Sequence, residues 1–252
     1  MLKTLSSGMA LAGIAAANYS SGEVKTWETF TYGRFTVRMA GPNKNGTVAS
    51  FFTYWNGPNW TQEGWNEIDV EIVPSISGNP FSTNIIWQWQ QQDQTYCSNF
   101  WPGSDFHEYV IEWAPEYVQW TIDGNVCRRT EGTTDVHFLN KDQHLMMNFW
   151  TPTFAGWGDN FNDWDMPWYT KYDYVKVEKY NSSTGGFDLY WQDDFDSFDG
   201  SRWQKSDNWS FESNSSTFYT SQVYTEDGNL VLKMENPYAS NDTAVAEHLV
   251  QE

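Results

Sequence analysis

Residues 65–73 read WNEIDVEIV, and the strict alternation of side-chain types in this stretch decides the fold class. Successive side chains of a β-strand point to opposite faces of the sheet. The stretch therefore predicts a strand with one apolar face, able to enter a core, and one acidic face. The apolar face carries Ile68, Val70 and Ile72, and the acidic face carries Glu67, Asp69 and Glu71.

The same period of two recurs along the chain beyond residue 17, with little helical periodicity. Turn signals such as Asp123–Asn125 and Asp227–Asn229 separate the candidate strands. Many short strands with such turns predict an all-β sandwich. The candidate strands are Val24–Met39, Thr47–Trp55, Glu67–Val73, Ser82–Gln90, Phe106–Trp113, Tyr117–Asp123, His144–Trp150, Tyr172–Tyr180, Phe187–Phe195 and Gln222–Glu235.

A row of carboxylates on one strand face carries an electrostatic cost, because like charges raise one another's pKa. Glycoside hydrolysis uses such a group, since it needs one ionised carboxylate and one protonated carboxylic acid. We therefore predict Glu67 as nucleophile, Glu71 as general acid/base, and Asp69 as the residue that hydrogen-bonds Glu67 and tunes its charge. The alternatives are an exposed acidic strand and a calcium site, although calcium ligands usually come from loops.

The spacing of the two glutamates restricts the mechanism. Positions i and i+4 lie about 13 Å apart along an extended strand. A retaining glycosidase needs carboxyl groups about 5–5.5 Å apart, and an inverting one about 6.5–9.5 Å. Glu67 and Glu71 fit retention only where strand twist lets their side chains lean together, so the sequence leaves the inverting separation open.

Charge and composition limit the kinds of partner. The 252-residue chain has 14 Lys and Arg against 33 Asp and Glu, a formal net charge of −19. This balance argues against nucleic acid, which requires a basic patch, and against anionic membranes, and it is compatible with a neutral sugar. The 16 tryptophans suit stacking on pyranose rings, although a β-rich core that uses aromatic residues gives the same composition.

The chain length fits one domain, which we expect over residues 18–236. Residues 1–17 contain Lys3, a weakly apolar run and small residues at the end, which predicts a secretory signal peptide and a secreted, extracellular protein. Residues 237–252 form a polar tail. Residues 181–186 resemble a linker, but the segment that follows is short for an independent core, so we expect it to complete the sheets of the main domain.

The two cysteines, Cys97 and Cys127, fit either one disulfide or two buried thiols, and the sequence leaves both open. Neither has His or Cys neighbours at ligand spacing, which argues against a zinc site.

Several segments resemble glycoside hydrolase family 16. Residues 65–71 are similar to the family's active-site strand, and the single residue between Asp69 and Glu71 resembles the lichenase and xyloglucan branches; the laminarinase branch carries an extra bulge residue. In combination the motifs are specific, and they cover about residues 21–236. Further similar segments are Ser21–Glu23, Tyr32–Met39, Thr47–Thr53, Phe106–Tyr109, Trp120–Gly124, Met146–Trp150 and Tyr172–Val177.

The order of these segments is unusual. Asp193–Asp196, Trp203–Lys205 and Asp227–Leu230 resemble segments that normally open the domain, yet here they follow the linker at 181–186. The chain therefore resembles a circularly permuted member of the lichenase branch, in which the linker joins the original C-terminus to the original N-terminus.

The resemblance implies a jelly-roll β-sandwich of two antiparallel sheets with a concave substrate cleft. It implies endo-acting, retaining hydrolysis of mixed-linkage β-1,3-1,4-glucan (lichenan, cereal β-glucan), and we expect a monomer. The missing bulge residue argues against a β-1,3-glucanase, and the absence of a Cys-rich C-terminal extension argues against a xyloglucan enzyme. A non-catalytic carbohydrate-binding sandwich would need the tryptophans but not the three carboxylates.

Glucan-binding roles carried over from the family each have a structural alternative, since a strand Trp often packs in the core and a buried Asn often satisfies backbone groups. One position departs from the family, because Ile86 stands where the cleft often has an aromatic residue. The residues that the resemblance assigns to glucan binding are Glu23, Trp65, Asn84, Asn148, Trp150, Trp157 and Asn214.

A calcium site of the family, on the convex side, would fall at Asp173, Asp194 and the carbonyl of Gly228. Such an ion would be structural, since the two-carboxylate mechanism needs no metal or other cofactor.

Overall fold

Antiparallel β-structure makes up nearly all of the protein. The computed structural model describes residues 19–55, 57, 64–78, 80–88, 91–97 and 100–238. Over these residues the chain forms two large sheets, one short α-helix, one 3-10 helix (Thr220–Gln222), and a parallel pair of β1 (Tyr19–Ser21) and β16 (Ser216–Phe218). The predicted signal peptide at 1–17, and the predicted tail beyond Tyr238, lie outside the described residues.

The front sheet contains the strands around the acidic stretch. These are β2 (Glu23–Phe30), β4 (Val48–Trp55), β5 (Asn66–Ile72), β6 (Phe81–Trp87), β7 (Gln91–Gln92), β8 (Thr95–Tyr96), β12 (Gln143–Trp150) and β15 (Trp203–Lys205). They are antiparallel in the order β15-β2-β12-β4-β5-β6-β7, and β8 also pairs with β6.

The back sheet packs against the front sheet. Its strands are β3 (Gly33–Ala40), β9 (His107–Ala114), β10 (Tyr117–Ile122), β11 (Asn125–Glu131), β13 (Trp168–Asn181), β14 (Gly186–Asp193), β17 (Val223–Glu226) and β18 (Asn229–Met234). Their order is β11-β10-β9-β3-β13-β18-β17, with β14 also paired to β13. The short helix α1 (Thr134–Phe138) connects β11 to β12, and the Thr133 hydroxyl caps it by accepting from the Val136 amide.

The core lies between the two sheets, where the apolar faces meet. On β5, Ile68, Val70 and Ile72 are at most 1% exposed, as the alternation predicts. They share one buried cluster with back-sheet side chains that include Tyr109 and Trp113. Burying an aliphatic side chain of this size contributes about 1.5–3 kcal/mol, so the packing fixes which face of β5 points inward. The predicted jelly-roll β-sandwich of two antiparallel sheets is confirmed.

Two predicted strands are each two strands in the structure. The predicted strand Val24–Met39 turns at Tyr32, which has a φ of 63°. The predicted strand Gln222–Glu235 is the β17–β18 hairpin, whose turn residues Asp227 and Gly228 have φ values of 51° and 70°. Left-handed backbone of this kind ends the extended conformation, so alternation can continue on both sides of a turn that it does not reveal.

The segment after the predicted linker contributes to both sheets. Residues 181–186 form the turn of the β13–β14 hairpin. Strands β14, β17 and β18 belong to the back sheet, and β15 belongs to the front sheet. Near the ends of the described chain, Ser20 and Glu235 exchange backbone hydrogen bonds of 2.9 and 3.0 Å, so the first and last parts of the fold lie side by side.

A disulfide joins Cys97 and Cys127, whose Cα atoms lie 5.8 Å apart. It connects the segment after β8, at the edge of the front sheet, to β11 at the edge of the back sheet. The alternative that the sequence left open, two buried thiols, is not what the structure has.

Across the part of the chain that the structure describes, no helix combines the length and the apolar character needed to cross a membrane.

Candidate active site

A cleft of about 730 Å³ opens on the outer face of the front sheet. Side chains of β2, β12, β4, β5 and β6 form its floor, and residues from β7, from the turn between β7 and β8, and from the loops after β12 and after β15 add to its sides. The sequence-predicted site residues that line it are Glu23, Trp65, Glu67, Asp69, Glu71, Asn84, Asn148, Trp150 and Trp157.

Strand register places rows of side chains across the floor, with one carboxyl in the middle of each. The rows on β4, β5 and β6 are Tyr54–Glu67–Ile86, Phe52–Asp69–Asn84 and Ser50–Glu71–Ser82. On the far side of β4, Met146 continues the second row and Asn148 the third. The acidic face of one strand therefore lies at the centre of the cleft, as the alternation predicts.

Indole N–H groups hold the acidic strand. Trp65 Nε1 donates to Glu67 Oε2 inside the cleft. Trp120 is fully buried on β10 and donates from Nε1 to the backbone carbonyl of Asp69 at 2.9 Å. The second bond ties β5 to the back sheet, so the carboxyl row rests on a strand that both sheets position.

Burial raises the pKa of all three carboxyls. Desolvation raises the pKa of Glu67 to about 7, although hydrogen bonds from Trp65 and Asp69 lower it. Desolvation, and then the charge of Glu67, raise the pKa of Glu71 to about 8. Asp69 is 4% exposed, and desolvation followed by the charges of both glutamates holds its pKa well above its usual range. Near neutral pH the trio therefore favours an ionised Glu67 beside a protonated Glu71.

Glu23 is a fourth carboxyl of the cleft, 3% exposed on β2. It accepts hydrogen bonds from Ser206 Oγ at 2.7 Å, Asn148 Nδ2 at 3.1 Å and Trp209 Nε1 at 3.2 Å. Desolvation raises its pKa in spite of these bonds. Through the last contact Glu23 orients the indole of Trp209, which lines the cleft and is half exposed.

The two predicted asparagines of the floor differ in their hydrogen bonding. Asn148 Oδ1 accepts from Ser50 Oγ at 2.5 Å, and its amide donates to Glu23. Asn84 Oδ1 is buried without a hydrogen-bond partner among the described residues, and Asn84 is paired with Asp69. An unsatisfied buried acceptor costs about 1–3 kcal/mol, so a hydroxyl of a bound ligand would stabilise this site.

Aromatic rings line one end of the cleft. Trp150 lies 6.4 Å from both Phe154 and Trp157 by ring centroids, and 5.0 Å from Phe211. Trp157 is oriented by a 2.9 Å hydrogen bond from its Nε1 to the hydroxyl of Tyr96. Partly exposed rings in such a group offer apolar faces on which sugar rings stack.

Asn214 does not line the cleft, in contrast to what the resemblance implies for it. Its side chain is 8% exposed, and Oδ1 accepts a 2.7 Å hydrogen bond from the backbone amide of Ser216. Asn214 thereby shapes the turn whose neighbouring residues Glu212 and Ser213 do reach the cleft.

Pattern reasoning missed much of the lining. Ser50, Phe52 and Tyr54 lie on the cleft face of β4, and alternation would have found them once the pairing of β4 with β5 was known. The others come from loops and distant strands, for which the sequence carries no local signal. The missed residues are Ser50, Phe52, Tyr54, Gln92, Gln94, Met146, Phe154, Trp209, Phe211, Glu212 and Ser213.

The residues predicted for calcium lie near the ends of adjoining strands of the back sheet. Strand β13 pairs with β18 on one side of Asp173 and with β14 on the other. Asp194 directly follows β14, and Gly228 lies in the turn before β18. Two carboxylates and a carbonyl are oxygen donors of the kind that Ca²⁺ takes, although Asp173 here accepts a hydrogen bond from Arg38. Within the described residues, no three His, Cys, Asp or Glu side chains cluster as metal ligands.

Comparison with known sequences finds one family. The sequence model of "Glycosyl hydrolases family 16" matches residues 3–176. A beta-glucanase of Fibrobacter succinogenes is 36% identical over 230 residues, which is 88% of this chain and 65% of that protein. A beta-glucanase of Brevibacillus brevis is 30% identical over 167 residues, or 64% of this chain and 61% of that protein. The chain thus spans slightly less than two thirds of the length of these two relatives.

Comparison with solved structures finds the same sandwich. A beta-glucanase of Bacillus licheniformis matches with a TM-score of 0.53 and 25% identity over 62% of this chain and 70% of that one. A prokaryotic beta-1,3-1,4-glucanase (lichenase) from a mouse hindgut metagenome matches with a TM-score of 0.53 over 68% and 79%. At 23% identity, the second match shows the fold alone.

Proposed function

The chain belongs to glycosyl hydrolases family 16, and from this premise we propose that it is an endo-acting, retaining hydrolase of mixed-linkage β-1,3-1,4-glucan. The observation that carries the proposal is the acidic face of β5, where Glu67, Asp69 and Glu71 share one cleft. Two relatives are beta-glucanases by name, which supports a β-glucan as substrate. A chain with net charge −19 suits a neutral polysaccharide.

The sequence and the register of the acidic strand support mixed-linkage glucan as the substrate. Strand β5 pairs with β4 and β6 residue by residue, without a register shift between Asn66 and Ile72. In the resemblance described above, a strand without the extra bulge residue belongs to the lichenase and xyloglucan branches. Between these two branches the substrate panel below decides.

The proton distribution supports the proposed roles of the two glutamates. Glu67 has the lower pKa of the two glutamates because Trp65 and Asp69 donate hydrogen bonds to it, so it is the group that is ionised and able to attack. Glu71 keeps its proton near neutral pH and can give it to the glycosidic oxygen. Asp69, with its strongly raised pKa, stays protonated and donates to Glu67.

The proposed cycle has two displacements. Glu67 attacks the anomeric carbon while Glu71 transfers its proton to the glycosidic oxygen, which breaks the sugar–oxygen bond and leaves a glycosyl ester on Glu67. Glu71, now ionised, takes a proton from water as that water attacks the same carbon from the other face. The ester bond breaks, Glu67 regains its negative charge, and Glu71 is protonated again.

A substrate panel tests the proposal. Reducing-sugar release from barley β-glucan, laminarin and xyloglucan would be measured for the parent and for Glu67→Gln. We expect release from barley β-glucan alone, lowered by at least about 10³-fold in the variant, because the nucleophile is lost. Release from laminarin or xyloglucan instead would reject the mixed-linkage substrate. Glucan binding without any release would identify a carbohydrate-binding sandwich.

We further propose that the protein acts as a secreted monomer. The predicted signal peptide at 1–17 supports secretion, and so does the disulfide between Cys97 and Cys127, since such bonds persist in oxidising compartments. N-terminal sequencing of the exported protein should start near residue 18, and light scattering should give the mass of one chain.

A structural calcium ion at Asp173, Asp194 and Gly228 remains a proposal of the same kind. Its support is that these residues, which carry oxygen donors, lie near the ends of adjoining strands of the back sheet. Millimolar Ca²⁺ should then raise the melting temperature relative to EDTA, and Asp173→Asn should abolish the difference.

The chain order of a circularly permuted lichenase is likewise proposed. It is supported by the family match, which ends at residue 176, and by the later strands β14, β15, β17 and β18, which fill positions in both sheets.

A further inference from the structure

We propose that Arg128 is a positioning residue for glucan binding: from the back sheet it holds the edge segment 91–97 so that Gln92 and Gln94 form one wall of the cleft. The glucan-binding part of this inference rests on the proposed function, whereas the structural part does not. Both glutamines line the cleft with the carboxyl trio, and neither has an assigned role.

The segment 91–97 is an interrupted edge strand. Its two short strands, β7 and β8, pair with β6 in one continuous register, since Gln92 lies opposite Ile86 and Tyr96 lies opposite Ser82. Between them the ladder is broken, and Asp93 keeps only a 3.0 Å bond from its amide to the carbonyl of Ile85. Short edge pairings of two residues each are weak by themselves, so this wall needs other contacts to keep its position.

Arg128 supplies these contacts at the break. Its Nη1 donates to the carbonyls of Asp93 and Thr83 at 2.9 and 3.2 Å and to the hydroxyl of Thr83 at 3.1 Å. Its Nη2 donates to the Asp93 carboxylate at 2.5 Å. The guanidinium side chain is only 9% exposed, and its fixed fork matches this set of oxygens in a way that a lysine ammonium would not.

Two further contacts make the anchor rigid. Arg128 lies over the ring of Trp120, 4.5 Å from its centroid, and Trp120 is the residue that donates to the carbonyl of Asp69. The neighbouring Cys127 forms the disulfide with Cys97 at the end of the segment. One stretch of β11 therefore fixes the wall at its middle and at its end, and the same contacts reach the catalytic strand.

The wall faces the reacting groups. Gln94 Nε2 donates to Ser82 Oγ at 3.2 Å, and Ser82 is the cross-strand neighbour of Glu71. By the register of β7 and β8, Gln94 is level with Asn84, whose buried Oδ1 lacks a partner among the described residues. The side-chain amides of Gln92 and Gln94 can form hydrogen bonds with the hydroxyls of a glucan chain. They contribute to binding only while the segment is held in place.

Asp93→Asn and Arg128→Lys test the inference from both sides of the contact, and both retain most of the packing. The matched control is Arg129→Lys, because Arg129 is the next residue of β11 and contacts Glu131 and Gln119 rather than the wall. The readouts are amide hydrogen exchange of residues 91–97, kcat and KM on barley β-glucan, and the effect of adding Gln94→Ala to each background.

We expect exchange at 91–97 to accelerate at least about tenfold in both variants and to stay unchanged in the control. KM should rise about three- to tenfold with kcat within about twofold, since the wall binds ground state and transition state alike. Gln94→Ala alone should raise KM by a similar factor and add little to Asp93→Asn.

Unchanged exchange in both variants would overturn the role of Arg128, whether or not the protein hydrolyses glucan. Faster exchange with an unchanged KM would overturn the role of the wall in binding. Absence of glucan hydrolysis in the parent would reject the proposed function, and the exchange result would still decide what Arg128 does.

Discussion

At the scale of single residues, the proposed chemistry depends on which carboxyl of β5 is ionised. Trp65 distinguishes the two glutamates, because its indole N–H donates a hydrogen bond to Glu67. Among the described residues, no such donor lowers the pKa of Glu71. A hydrogen bond to an ionised acceptor stabilises the charge and lowers the pKa. The hydrogen bond from Trp65 thus helps to give the nucleophile a lower pKa than the acid.

Trp65→Phe keeps an aromatic ring at this position and removes the N–H donor. The pKa of Glu67 should rise, so the acidic limb of the kcat/KM profile should move to higher pH, and activity near pH 6 should fall about tenfold. A pH profile on barley β-glucan measures this, with Trp157→Phe as a cleft tryptophan that donates to Tyr96 instead. An acidic limb at the same pH in parent and Trp65→Phe would refute the assignment.

The raised pKa of Glu71 predicts a pH dependence of stability. Folding raises this pKa from 4.5 to about 8. The folded state therefore holds the proton more tightly, so the contribution of Glu71 to stability is complete below about pH 4.5 and is lost as pH rises toward about 8. Glu71→Gln stays neutral and should lose less stability than the parent between these values.

Urea unfolding at several pH values would measure the difference, with Glu226→Gln on the exposed end of β17 as control. Parallel stability curves for parent and Glu71→Gln would show that the carboxyl is not held protonated by the fold.

At the scale of elements, the edge strands depend on cross-links between the sheets. The disulfide joins positions 30 residues apart and connects the front-sheet edge to β11. Closing a loop of this length restricts the unfolded chain, and its removal in a Cys97→Ser/Cys127→Ser variant should lower the free energy of unfolding by about 3–4 kcal/mol.

Reversible denaturation measures this effect. A reductant should reproduce it in the parent and should have no effect on the double variant. An equal stability of parent and variant under oxidising conditions would contradict the cross-link.

The limits of sequence-based prediction also lie at this scale. Strand β5 is predictable because its alternation is local and both of its faces have clear chemistry. Strand β11 reads NVCRRTE, which has no apolar face, and it is recognisable only through its pairing with β10 and its contacts with the 91–97 segment. The sides of the cleft come from loops whose side chains meet through tertiary packing alone. The positions of the three carboxyls can therefore be predicted from the sequence, whereas the side chains that surround them in the cleft cannot.

At the scale of the whole molecule, the two ends of the described chain are neighbours. Strand β1 and residue Glu235 are joined by backbone hydrogen bonds, and the turn at 181–186 is exposed. Chains with adjacent termini tolerate new ends at exposed turns. The sandwich should thus fold equally well whether the chain is open between its present ends or at the turn 181–186.

A rearranged chain tests this. Joining residue 238 to residue 19 through a short Gly-Ser linker, and opening the chain between Thr184 and Gly185, should give a protein with the parent's circular dichroism and glucan activity within about threefold. A second version opened between Phe51 and Phe52, inside β4, should fail to fold, since both residues lie on a strand paired on both sides. Failure of the first version, or folding of the second, would contradict the described topology.

The central claim, that Glu67 attacks and Glu71 donates and accepts the proton, is tested most directly by azide rescue of alanine variants. On a dinitrophenyl β-glycoside of a glucan oligosaccharide, azide should occupy the space left in Glu67→Ala and give the α-glycosyl azide. In Glu71→Ala, Glu67 should still form the glycosyl ester, and azide should then release the β-glycosyl azide. Proton NMR of the products distinguishes the two. We predict the α-glycosyl azide from Glu67→Ala and the β-glycosyl azide from Glu71→Ala. The reverse assignment, the same anomer from both variants, or no rescue of either variant would contradict the account.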